Sequence, residues 1–116
     1  MADLRAFYTE ADGDLDEVLA RLRSEERVAK FVRLFLADDN HERLMGALAT
    51  GDVDAAFRAT HTLKGIAGDM GFGALAATAS EACEAFRAGD FARGAELSQP
   101  VDAAYMRVVE AAGRNL

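Results

Sequence analysis

The sequence predicts an all-α protein: an antiparallel, up-and-down four-helix bundle preceded by one or two short N-terminal helices. Three observations predict it. Alanine is abundant and the only proline is Pro100, so little interrupts a helix. Apolar residues recur at i, i+3, i+4 and i+7, and no stretch alternates apolar with polar as a half-buried strand would. Gly-Asp occurs at Gly51-Asp52 and again at Gly89-Asp90, each pair suited to ending one helix and capping the next. Connections this short make consecutive helices antiparallel neighbours. A chain of 116 residues suits one domain, 1–116, with the short helices in 1–23 and the bundle core in 24–112.

Residues 2–10 suit a short helix with Leu4, Phe7 and Tyr8 on one side. Asp12-Gly13-Asp14 is a turn, and Asp14 can cap a second helix reaching about Leu22, with a stripe of Leu15, Val18, Leu19 and Leu22. Asp12, Asp14 and Asp16 alternate like a calcium loop, but Arg23 stands where the closing glutamate is needed, so capping is the better account. Ser24 is the expected N-cap of the next helix, with Arg27 in the place of a capping-box glutamate. Its apolar face is Val28, Phe31, Val32, Phe35 and Leu36. Asp38-Asp39-Asn40 interrupts the pattern, which resumes from about His41 to Ala49 as either the same helix, kinked, or a second one. After Gly51-Asp52 a helix spans about Val53 to Met70, ended by Gly71-Phe72-Gly73. Another spans about Ala74 to Ala88, with Leu75, Ala79, Ala82, Cys83 and Phe86 as apolar contacts. The last spans about Phe91 to Ala112, and Pro100 is expected to kink it or split it near Ser98-Gln99.

Composition removes several classes of function. The formal net charge is −7, which leaves no basic stripe for nucleic-acid phosphates and disfavours anionic membranes. A single cysteine, Cys83, excludes an internal disulfide and a cysteine-based zinc cluster. The chain opens on Asp3 and Arg5 without a signal-like apolar run, and no run spans a bilayer, so the cytoplasm is the expected compartment. His41 lacks the spacing partners of a metal-ligating histidine, and a surface or capping role is expected for it. Gly71-Phe72-Gly73 has no preceding strand and no following Lys-Ser/Thr, so it reads as a helix–helix turn and not as a nucleotide loop.

The chemistry concentrates in one helix. His61, Lys64, Gly65 and Gly68 fall at i, i+3, i+4 and i+7, on one face over about two turns. Ala56, Ala59, Leu63, Ile66, Ala67 and Met70 cluster opposite, so the core is complete without His61 and the imidazole should reach solvent. Each glycine costs about 1 kcal/mol of helix stability relative to alanine. The same spacing fits an ordinary solvated face, and the glycines could instead let two helices approach. A sharper reading is a phosphoacceptor imidazole. Neutral histidine is nucleophilic near neutral pH, Lys64 could offset a phosphoryl charge, and the glycines could admit a partner's active site. A histidine-dependent enzyme fits less well, because the face carries no paired carboxylates, second histidine or oxyanion donors.

The stretch ATHTLKGIAGDMGFGAL (residues 59–75) resembles the signature of histidine phosphotransfer (HPt) domains, including a glycine ten residues after the histidine, here Gly71. The upstream Ser24–Leu36 helix and the turns at Ala49-Thr50-Gly51-Asp52 and Arg87-Ala88-Gly89-Asp90 sit as in that family. The resemblance implies a four-helix phosphorelay carrier, a substrate of its partners and not an enzyme. His61 would take a phosphoryl group from a receiver-domain aspartate or return one. Lys64 would stabilise it, and Gly65 and Gly68 would open the docking face. Docking should use apolar residues around His61, with Phe57 and Phe72 as candidates that could equally be core residues. The implied partners are a response-regulator receiver domain, a hybrid sensor histidine kinase, or both. The chain itself would be a monomer without cofactor or metal, Mg²⁺ being carried by the receiver. Many members place glutamate or glutamine where this chain has Cys83, so Cys83 and the adjacent Glu84 are the candidates for a contact to the histidine across the bundle. The alternative is a helical docking module that keeps the fold without phosphorylation.

Overall fold

A computed structural model describes residues 2–116; Met1 lies outside the described residues. Among the described residues seven helices follow one another: α1 (Leu4–Glu10), α2 (Leu15–Leu22), α3 (Glu25–Ala37), α4 (Asn40–Thr50), α5 (Val53–Asp69), α6 (Gly73–Arg87) and α7 (Phe91–Asn115). Among the described residues there is no strand. Most starts are capped as the sequence predicts. The side chains of Asp14, Ser24, Asp52 and Asp90 accept from backbone N–H groups of Glu17, Arg27, Ala55 and Arg93. Each satisfies one of the N–H groups left unpaired in a first helical turn.

The bundle follows chain order: α4 packs on α5, α5 on α6 and α6 on α7. Its interior is the stripe expected of α5, with Ala56, Ala59, Leu63, Ala67 and Met70 buried, facing Leu44 and Ala47 of α4, Leu75, Ala79, Ala82 and Phe86 of α6, and Val101 and Val108 of α7. Gly94 is required there, since a Cβ would collide with the Phe86 ring.

Two alternatives that the sequence leaves open are decided. The break at residues 38–39 makes two helices, because Asp38 is extended (φ −70°, ψ 143°) and its carboxylate accepts from the Asn40 backbone and side-chain amides. Among the described residues five longer helices therefore follow the two short ones, and α3 packs on α2. Pro100 does not split α7, which is helical from Phe91 to Asn115. Gly94, Ser98, Val101 and Val108 are buried on both sides of the proline. That packing offsets a local cost of about 3 kcal/mol.

The short helices do more than precede the bundle. Tyr8 Oη donates to the Met70 carbonyl at 2.9 Å, the Asp14 N–H donates to the Gly71 carbonyl at 2.9 Å, and Arg21 donates to the Asp69 carbonyl. These are the carbonyls that a helix end leaves without partners. Burial pushes the Tyr8 phenol well above its ordinary range, so it remains a donor. Gly71 (φ +73°) makes this junction possible: a Cβ would stand 2.7 Å from Val18 Cγ2 and 2.8 Å from the Asp14 oxygen. The end of α7 ties down α1 as well: the Asp3 N–H at its start donates to the Asn115 carbonyl at 2.8 Å, and Asn115 Nδ2 donates to Glu10, its last residue, at 2.7 Å.

Candidate functional site

Helix α5 presents the site. Asp52 caps its start and the N-terminal junction holds its end, so the seventeen residues between are fixed at both termini. His61 is exposed, as are Lys64, Gly65 and Gly68 on the same face. No carboxylate lies in salt-bridge range of Lys64 among the described residues. Its ammonium therefore stands one turn from the imidazole without a competing anion of this chain.

Both glycines of this face stand against open space. A Cβ built at Gly65 or at Gly68 meets no atom within 4 Å. Neither glycine lets a neighbouring helix approach, which removes the packing explanation that the spacing left open. Both widen the free space around His61.

His61 has no hydrogen-bond partner among the described residues. Its aromatic partner is Phe57, one turn earlier, whose ring lies with centroid 5.8 Å away and 23° from parallel. Residues four apart meet on a helix because side chains lean toward its N-terminus. Arg87, in the last turn of α6, places Cζ 4.9 Å from the Phe57 ring centroid, and Glu84 Oε1 accepts from Arg87 Nε at 3.4 Å. Glu84 thus faces its own helix's arginine and makes no hydrogen bond to His61. Cys83 is fully buried and likewise makes no hydrogen bond to the histidine. On the other flank Arg58 and Thr62 share a shallow hollow with Asp39 and Arg43 of the α4 start. Arg58 and Lys64 lie three residues to either side of His61 on α5, and Arg87 covers its neighbour Phe57, in a chain of net charge −7.

The two docking candidates part ways. Phe57 is half-buried at the site, whereas Phe72 is in the core, stacked on Tyr8 at 5.4 Å and edge-on to Phe7 and Phe35. The exposed large apolar residues nearby are Phe31 (42%) and Leu34 (55%) of α3, which share a groove with Ile66 and Met70 beside the end of α5. Phe31 was legible as part of an apolar stripe, but the stripe does not say which of its members is left uncovered.

His41 is neither a surface residue nor a cap. Its Nε2 lies 2.7 Å from Asp102 Oδ1, and its ring stacks on Tyr105 with centroids 4.0 Å apart and planes 8° from parallel. It joins α4 to α7 across the bundle. Among the described residues no group of three His, Cys, Asp or Glu side chains is arranged to hold a metal ion. No helix there is long and apolar enough to cross a membrane.

A family model described as the Hpt domain matches residues 4–111 of the chain. No curated protein and no solved structure gives a significant match.

Proposed function

We propose, from the premise that this chain belongs to the Hpt domain family, that it carries a phosphoryl group on His61. The family acts in phosphorelays as phosphocarriers between histidine kinases and receiver domains. The observation that carries the assignment to His61 is the open space beside it: two helical glycines whose absent side chains would meet nothing within this chain. Each costs about 1 kcal/mol of helix stability relative to alanine, and use of the space by a docking partner would offset that cost.

In the forward direction a ring nitrogen of His61 supplies its lone pair to the phosphorus of a receiver's aspartyl phosphate. The P–N bond forms as the P–O bond to the carboxylate breaks. The carboxylate leaves with that electron pair, and the other ring nitrogen keeps its proton. The reverse step returns the group to an aspartate. Lys64 offsets the charge gained, and the remaining requirement is positioning, which supplies most of the catalysis in phosphoryl transfer. Gly65 and Gly68 admit the receiver's active site, and Phe31 and Leu34 offer it apolar contact. Mg²⁺ belongs to the receiver in this reading. The chain acts as one cytoplasmic, monomeric domain over 1–116, without a cofactor of its own.

Incubation with a phosphorylated receiver domain tests the reading. The wild type is expected to gain an acid-labile, base-stable label, and His61→Gln to gain none. Label that persists in His61→Gln, or no label on the wild type with any receiver, overturns it.

A further inference from the structure

The His61 ring must be aimed, because an imidazole on a free side chain samples several rotamers and only a fraction of them point a nitrogen at a docked phosphorus. A hydrogen bond from a facing helix could aim it, but the buried thiol of Cys83 makes none and Glu84 is engaged with Arg87. The only aromatic neighbour of His61 among the described residues is Phe57. Phe57 packs against the hydrophobic core while its ring reaches the imidazole at 5.8 Å and 23°. On the α6 side the same ring is covered by Arg87, itself tied to Glu84. The ring is thus held from below and from the side, while His61 has no hydrogen bond and no other aromatic partner among the described residues.

We propose that Phe57 is the positioning residue for phosphoryl transfer: its ring, braced by the core and by Arg87, holds the His61 imidazole in its outward orientation by stacking. The inference rests on the carrier reading above and adds the residue that aims the acceptor. Stacking differs from a hydrogen bond in one chemical respect. It engages the ring's face and leaves both ring nitrogens unpaired, so one lone pair stays available whichever nitrogen carries the proton. The support is also indifferent to the charge that the ring acquires on phosphorylation, since a cation over an aromatic face is favoured as well.

Phe57→Leu keeps an apolar contact with the core and removes the aromatic face; Phe57→Tyr keeps both. The first measurement is the NMR shift of the His61 ring protons, which a neighbouring aromatic ring displaces; the displacement is expected in the wild type and Phe57→Tyr and lost in Phe57→Leu. The second is label transfer from a phosphorylated receiver at varied concentration. The maximal rate of Phe57→Leu is expected to fall about three- to tenfold, the factor one aromatic contact supplies, with the half-saturating receiver concentration unchanged and the rate restored in Phe57→Tyr. A circular-dichroism melt establishes that both variants are folded. If Phe57→Leu does not fold, Phe57→Met replaces it with the same expectations. A wild-type maximal rate in the folded aliphatic variant overturns the proposal, and so does a loss confined to half-saturation, which would make Phe57 a docking contact. No label on the wild type overturns instead the carrier reading on which the proposal stands.

Discussion

At the scale of single residues, the site is defined as much by what is missing as by what is present. Gly65 lies one turn after His61, and its Cα faces open space. Gly65→Ala is therefore expected to stabilise the free protein by about 0.5–1 kcal/mol, the usual gain for alanine at a helical position it can occupy without strain. It is also expected to slow transfer from the receiver, and Gly65→Glu more so, by adding bulk and negative charge beside the ring. A thermal melt and a labelling time course on the same samples check both. Faster melting resistance with unchanged labelling would detach the glycine from partner access. His61, Lys64 and the glycines were legible because their relation is a spacing within one helix. Cys83 was legible as small and buried for the same reason. The partner of Phe57 across the bundle, Arg87, was not, because no local pattern says which residues of two helices meet.

Among the elements, the helices were legible wherever local chemistry decides them. Asp14, Ser24, Asp52 and Asp90 cap as their side chains dictate, and Gly51 and Gly71 take left-handed conformations. Propensity failed where tertiary packing prevails, as at Pro100, which the burial of α7 against α6 carries through. The tie between α4 and α7 was equally hidden, because His41 and Asp102 are 61 residues apart. Removing it with His41→Ala leaves the half-exposed Asp102 without its partner and Tyr105 without its stack. The loss is expected to be about 2 kcal/mol, within the range for a hydrogen bond to a charged group plus an aromatic contact. Chemical denaturation would measure it, and labelling of His61 should be unaffected once the variant is folded. A variant as stable as the wild type would mean that α4 and α7 need no tie beyond their apolar contacts.

Across the whole molecule, the acidic balance meets local exceptions that set the pH response. The Glu10 carboxyl is held below its ordinary 4.5 by the Asn115 hydrogen bond and then by Arg114. Asp39 is held below its ordinary value by Arg43. Both carboxylates favour the folded state when charged. Their contribution is present in full above their unfolded values and is lost as pH falls through the lowered, folded ones. Melting temperature should therefore fall on acidification below about pH 4.5. Glu10→Gln should melt below the wild type at neutral pH and converge with it in acid. A gap of constant size across pH would assign the effect to shape and not to charge. Glu10 also belongs to the contact that brings the two ends of the described chain together, where the Asp3 N–H meets the Asn115 carbonyl. Joined ends make the order of the helices in the gene incidental to the bundle. A circularly permuted chain, with Asn115 linked to Asp3 and new termini opened at the exposed Gly89 turn, would keep every helix and leave His61 in the middle of an unbroken α5.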